Sequence, residues 1–151
     1  MKKIILIFAI VLAFCVVGVQ AQTGVSDADK AAITQTALDY IEGWYAADAE
    51  RMERALHPDL AKRIVRTNEK GQSMLGQMGA LALVQGVRAG YGKNTPKEKQ
   101  QKDVTILDVF GNAASVKIVA SDWIDYLHIG KFNGRWVIIN VLWEMKPAEK
   151  K

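Results

Sequence analysis

The sequence predicts an α+β domain in which helices come first and an antiparallel sheet follows. Three observations carry this. Apolar residues recur at helical spacing from Ile33 to Trp44, and from Asp103 onward the period changes to two. Two corners, Gly111-Asn112 and Asn133-Gly134, then divide the second half into strand-sized runs. Asn-Gly between such runs is the strongest short hairpin signal a sequence offers.

The helices follow in chain order. Ser26 starts the first, with Asp29 three residues on in a capping-box-like arrangement. Ile33, Ala37, Tyr40, Ile41 and Trp44 form its apolar stripe. Asp48 is placed to cap a second, short helix whose Met52, Ala55 and Leu56 face inward. His57-Pro58 ends it, because proline disfavours helical backbone in the residue before it. Residues 60–66 read as a short strand or an extended arm. Between Gly71 and Gly92 the apolar spacing allows a third helix over about 77–88, against four glycines (Gly71, Gly76, Gly79 and Gly86). Each interior glycine costs about 1 kcal/mol relative to alanine. A polar loop over 93–102, centred on Pro96, closes the helical half.

Four strands are expected, over 104–110, 113–120, 123–132 and 135–145, as a meander. Two-residue turns pair Phe132 with Arg135, Ile129 with Ile138, Leu127 with Asn140 and Phe110 with Ala113. A two-residue link at Ser121-Asp122 pairs Ile118 with Asp125. Side chains alternate between faces. One face then carries Leu107, Val109, Ala114, Val116, Ile118, Trp123, Asp125, Leu127, Ile129, Trp136, Ile138, Asn140 and Leu142. It is apolar enough to receive the helices. The opposite face, with Ile124, Tyr126, His128, Phe132, Val137, Ile139, Val141 and Trp143, is also largely apolar. Leaving such side chains wet forgoes about 1.5–3 kcal/mol each. A homodimer through Tyr126, His128, Val137, Ile139, Val141 and Trp143 is the expected cover.

The first residues set the expected compartment. Lys2 and Lys3 precede an uncharged run over 4–19, and Val19-Gln20-Ala21 supplies small residues at the −3 and −1 positions of a cleavage site. This is the layout of a secretory leader, cut after Ala21. An uncleaved anchor is disfavoured because the strongly apolar part falls short of the ~20 residues that span a bilayer. Lipid attachment at Cys15 is disfavoured by Phe14, where a small residue is wanted. The expectation is a periplasmic or secreted protein, free of the membrane after cleavage, with residues 22–151 forming one domain.

The leader removes two of the 20 basic residues and none of the 16 acidic ones, leaving 18 against 16 and a net charge of +2. Several of the cations sit in the tail, at Lys146, Lys150 and Lys151, and no basic stripe with interleaved aromatics is present. Nucleic acid is therefore not an expected partner. Cys15, the single cysteine, leaves with the leader, so the domain relies on packing rather than disulfides.

Three stretches carry a family resemblance. They are Tyr40-Ile41-Glu42-Gly43-Trp44 running on to His57-Pro58, the strand Asp125-Tyr126-Leu127-His128, and the run from Gly134 and Arg135 through Trp136 to Trp143. Together they resemble the "Putative lumazine-binding" family of the nuclear-transport-factor-2-like superfamily, which also holds ketosteroid isomerases and SnoaL-like polyketide cyclases. The resemblance implies a cystatin-like cone: a curved sheet around a long first helix, a pocket at the open end, and frequent dimerisation. It implies little about chemistry, because one fold hosts enzymes, binders and scaffolds.

The pocket residues expected from the sheet register are Tyr40, Trp44, Trp123, Asp125, Leu127 and Asn140. Asp125 is the candidate catalytic group. An aspartate on an apolar face is paired, hydrogen-bonded or raised in pKa, and a raised pKa suits a general base. Asn140 would polarise a carbonyl, with Tyr40 and Trp44 as an aromatic wall. The plainer alternative pairs Asp125 with Arg63 or Arg66 near a strand end. His57 reads as a helix terminator and His128 as an outer-face residue. Two histidines without metal-ligand spacing predict no metal, and no phosphate loop, dinucleotide fingerprint or serine nucleophile motif predicts a cofactor or covalent serine chemistry. The leading expectation is a non-catalytic pocket for a small, partly apolar molecule. An isomerase, cyclase or dehydratase using Asp125 is the second. A dimeric interaction module of the cell envelope is the third, favoured if the cone holds no cavity near ~300 Å³.

Overall fold

The structure, a computed structural model, describes residues 25–147. The predicted leader and the end of the basic tail lie outside the described residues. Helix α1 spans Asp27–Ala46, and the Ser26 hydroxyl accepts the Asp29 N–H at 3.0 Å, satisfying one of the free donors at its start. Ala47 ends it in the left-handed region, φ 55. Helix α2 spans Ala49–Ala55, with the Asp48 carboxylate accepting from the Arg51 N–H at 2.9 Å. Leu56 turns at once to extended backbone and opens β1, Leu56–Thr67. The region 60–66 is thus strand, and β1 begins earlier than the sequence suggested.

The largest departure lies between Gly71 and Met78. Strand β2, Ser73–Met78, pairs antiparallel with β1, joined by a turn in which the Asn68 side chain accepts from the Lys70 and Gln72 N–H groups. The third helix, α3, therefore starts only at Ala80 and runs to Arg88. Most side chains of β2 are exposed, so the hydrophobic pattern there carries no strand period.

The remaining strands are β3 (Lys102–Phe110), β4 (Ala113–Ala120), β5 (Trp123–Phe132) and β6 (Arg135–Met145). At the β5–β6 corner Asn133 and Gly134 take φ of 49° and 81°, the double positive φ that a two-residue turn of matching twist requires. The sheet has six strands in the order β2-β1-β6-β5-β4-β3, not four, with β1 and β6 parallel and every other pair antiparallel. The sheet is curved and open, and α1 packs on its inner face, where Ile33, Ala37 and Ile41 meet Val116, Leu127 and Ile138.

Two bulges correct the expected faces. On β3 the register shifts between Ile106 and Asp108, which turns Leu107 out to 53% exposure while Ile106 packs against the core. On β6 it shifts after Ile138. Ile129 still pairs with Ile138, but His128 pairs with Asn140, and Leu127 with Val141 instead of Asn140. The expected pairing of Ile118 with Asp125 holds. One extra residue inverts every later position on the strand. Val141 enters the core, Trp143 packs against it, and Asn140 and Leu142 go to the outside.

The outer face is consequently smaller than expected. Val141 and Trp143 are not on it, and Val137 is buried. Phe132 folds back over Gly130 beside Ile139: a Cβ at Gly130 would stand 2.9 Å from the Phe132 ring and 3.6 Å from Ile139. His57 stacks on Phe132 with ring centroids 4.7 Å apart. The chain covers part of this face itself. Tyr126, His128 and Leu142 stay exposed.

Candidate functional site

A cavity of about 260 Å³ opens where α1 ends against the sheet. Its walls are Tyr40 and Trp44 of α1, Lys62 of β1, Leu83 of α3, Trp123 of β5 and Trp143 of β6, with Met78, Asp122 and Met145 completing the lining. The walls are held from behind. Trp44 and Trp123 meet edge to face at 5.9 Å between centroids. The loop after α3 presses on Trp44 through Gly92, whose φ is +86° and whose added Cβ would fall 2.3 Å from the Trp44 indole nitrogen. Only glycine fits there. The Tyr45 ring packs against Trp123 at 6.2 Å, and its hydroxyl engages Ser121 and the Gln101 carbonyl.

A polar cluster lies against this aromatic cavity. The Lys62 ammonium donates to Asp125 Oδ1 at 2.6 Å and to the Tyr40 hydroxyl at 2.7 Å. Trp123 Nε1 donates to Asp125 Oδ2 at 2.6 Å. Asp125 is fully buried and the Lys62 side chain is only 7% exposed. The ammonium also sits 4.8 Å from the centroid of Trp143 and 5.4 Å from that of Tyr40, within cation–π range. Burial pushes the Lys62 ammonium below the usual lysine range, with the Asp125 charge opposing the shift. Burial, and next the negative charge of Asp125, hold the Tyr40 phenol well above its ordinary pKa, so it stays protonated.

Of the residues expected to form a pocket, Tyr40, Trp44 and Trp123 line the cavity. Asp125 faces the same side but sits behind Lys62 and Trp123, outside the lining. Leu127 is in the core, and Asn140 is on the far side of β6, carried there by the bulge. The pairing of carboxylate and amide expected of an isomerase is therefore not assembled. Both oxygens of Asp125 already accept hydrogen bonds, one from an ammonium, and the Asn140 amide is across the sheet. Arg63, one expected partner of Asp125, instead bonds Gln77, and Arg66 is exposed.

Sequence reasoning missed Lys62 and Trp143, and with them Met78, Leu83, Asp122 and Met145 of the lining. A signal for Lys62 was present: with 60–66 read as a strand, Leu60, Lys62 and Ile64 share one face, and all three are buried. His57 accepts the Asp59 N–H at the helix end, and among the described residues no group of three or more metal-ligating side chains forms.

Residues 28–144 match a family model described as "Putative lumazine-binding". The chain belongs to this family. Its fold is similar to that of an NTF2-like protein of unknown function from Methylobacillus flagellatus KT, at 21% identity and a TM-score of 0.65 over 83% of this chain and 98% of the other. An NTF2-like protein of unknown function from Shewanella baltica OS155 gives 18%, 0.63, 83% and 100%. A protein of unknown function with a cystatin-like fold from Nostoc punctiforme PCC 73102 gives 18%, 0.55, 82% and 96%. These likenesses establish the fold. No curated protein matches the chain.

Proposed function

We propose that the domain is an exported binding protein that holds a small, flat, largely apolar molecule carrying an oxygen acceptor. The observation that carries the reading is one buried ammonium against Tyr40 and Trp143, at the edge of a cavity that Trp44 and Trp123 also line. The rings offer stacking faces. Lys62 gives two of its three N–H donors to Tyr40 and Asp125, which leaves one for a carbonyl or carboxylate oxygen. A polar anchor within apolar walls is the usual make-up of a ligand site. The volume falls just below the ~300–1,000 Å³ of drug-sized sites, which suits one small ring system. Lumazine, the ligand in the family description, is a flat bicycle with carbonyl oxygens and meets these requirements. Asp125 serves as the counter-ion of Lys62.

The tryptophans supply the test. Three of the four line the cavity, and Trp136 stands at the other end of the domain, bonded to Asp29. Titration with lumazine, and with a flat aromatic carboxylate, should move the indole N–H resonances of Trp44, Trp123 and Trp143 and leave that of Trp136 in place. Uniform or absent shifts with both probes defeat the reading. Export is supported by the leader-like residues 1–21, and pairing with a second copy by the exposed strip Tyr126, His128 and Leu142. N-terminal sequencing of periplasmic material and sedimentation velocity read these two parts.

A further inference from the structure

We propose that Lys62 captures the carbonyl carbon of an aldehyde or ketone ligand as a protonated imine within the cavity. The inference rests on the cavity reading above and deepens it by naming the ligand class. Among the described residues Lys62 is the only amine lining the cavity, and it is held with a carboxylate oxygen 2.6 Å away and a phenol 2.7 Å away. The 2.6 Å contact gives one proton a direct path from Nζ to Asp125 Oδ1, and its transfer leaves a free amine beside the cavity. Burial favours this neutral form of the lysine. Amines desolvated in apolar pockets are the ones that act as carbonyl nucleophiles.

The step balances without any further reagent. The nitrogen lone pair attacks the carbonyl carbon, forming a C–N bond as the C–O π bond breaks. The developing alkoxide takes a proton from the Asp125 carboxylic acid, and Asp125 then receives a proton from the new ammonium nitrogen. That proton goes to the carbinolamine hydroxyl, which departs as water while the C=N bond forms. Ammonium and carbonyl have become iminium and water. The positive charge stays on nitrogen, opposite the restored Asp125 carboxylate. Tyr40, protonated throughout, holds the nitrogen before attack and supplies a hydrogen bond to the carbonyl oxygen. The aromatic walls exclude the bulk water that would reverse the reaction.

The experiment uses the intact folded protein with benzaldehyde and sodium cyanoborohydride, followed by peptide mass spectrometry at low conversion. Lys62 should carry the reduced benzyl adduct at least about tenfold faster than exposed lysines such as Lys93 and Lys99. Benzyl alcohol, which has no carbonyl, should compete and slow labelling at Lys62 alone. Labelling of Lys62 no faster than that of the exposed lysines overturns the proposal. So does labelling at Lys62 that benzyl alcohol leaves unchanged. The indole shifts of Trp44, Trp123 and Trp143 on adding benzyl alcohol are read in the same samples. If these move while Lys62 stays unlabelled, covalent capture fails and the binding site stands. If neither occurs, both fail.

Discussion

The two ends of α1 carry the same three side-chain types in two different solvents. At its start, Asp29 accepts from the Lys131 ammonium at 2.6 Å and from Trp136 Nε1 at 2.9 Å. Beyond its end, Asp125 accepts from the Lys62 ammonium at 2.6 Å and from Trp123 Nε1 at 2.6 Å. The side chains of Asp29 and Lys131 are 27% and 30% exposed, whereas those of Asp125 and Lys62 are 0% and 7% exposed. With water present, the donors simply stabilise the carboxylate. Lys131 first, then Trp136 and Ser26, lower the Asp29 pKa to about 2. With water excluded, burial outweighs the ion pair at Lys62 and disfavours its charge. One arrangement is a clasp between helix and sheet. The other is a buried ion pair beside a cavity.

The sharpest way to break this comparison is to remove one lysine. Lys62→Met leaves a buried carboxylate with only Trp123 as partner and should cost about 3–5 kcal/mol in denaturant unfolding. The double variant Lys62→Met, Asp125→Leu removes both charges and should recover most of that loss, because apolar replacement of a buried pair is often neutral or stabilising. A single variant as stable as the parent would mean that water reaches the pair.

Next in size is Gly92→Ala, which acts on the cavity wall and not on the ion pair. It combines φ +86° with a Cβ 2.3 Å from the Trp44 indole nitrogen, so it should destabilise by more than about 1 kcal/mol. Displacement of Trp44 should also weaken the lumazine-induced indole shifts. Undiminished shifts would show that Trp44 is not a needed wall.

The smallest effect belongs to the exposed clasp. Asp29 has a folded pKa of about 2 against an ordinary value of 3.8. Between those values the unfolded chain binds more protons than the folded one, so stability rises with pH. The contribution is complete above 3.8 and is lost as pH falls through about 2. Asp29→Asn should therefore lower Tm slightly at pH 7, by less than Lys62→Met, and should flatten the fall in Tm between pH 4 and pH 2. An unchanged acid limb would remove Asp29 from this role.

The same contrast explains what could be read from the sequence. At the clasp end the helix cap and the hairpin corner were legible, because Ser26 and Asp29 lie three residues apart and Asn133-Gly134 marks a turn, but the bonds from Lys131 and Trp136 to Asp29 were not. Such signals act over a few residues and survive any tertiary arrangement. The cavity end was legible only in part. Tyr40, Trp44 and Trp123 followed from periodicity. Lys62 did not, because its role depends on β1 lying parallel to β6, a contact between residues far apart in the chain. The exposed β2 was lost for a related reason, since a strand that buries little shows no period.

The sequence by itself determined the starts of the first two helices, both hairpin corners, the α+β class and the family, through caps, turn conformations and alternation that each segment enforces locally and through the motifs that carry the resemblance. Only the tertiary structure decided which polar groups share the cavity. Side chains alternate strictly along a strand, so the single extra residue after Ile138 exchanged Asn140 for Val141 and Trp143. The parallel pairing of Lys62 beside Val141 then set an ammonium where an amide had been expected.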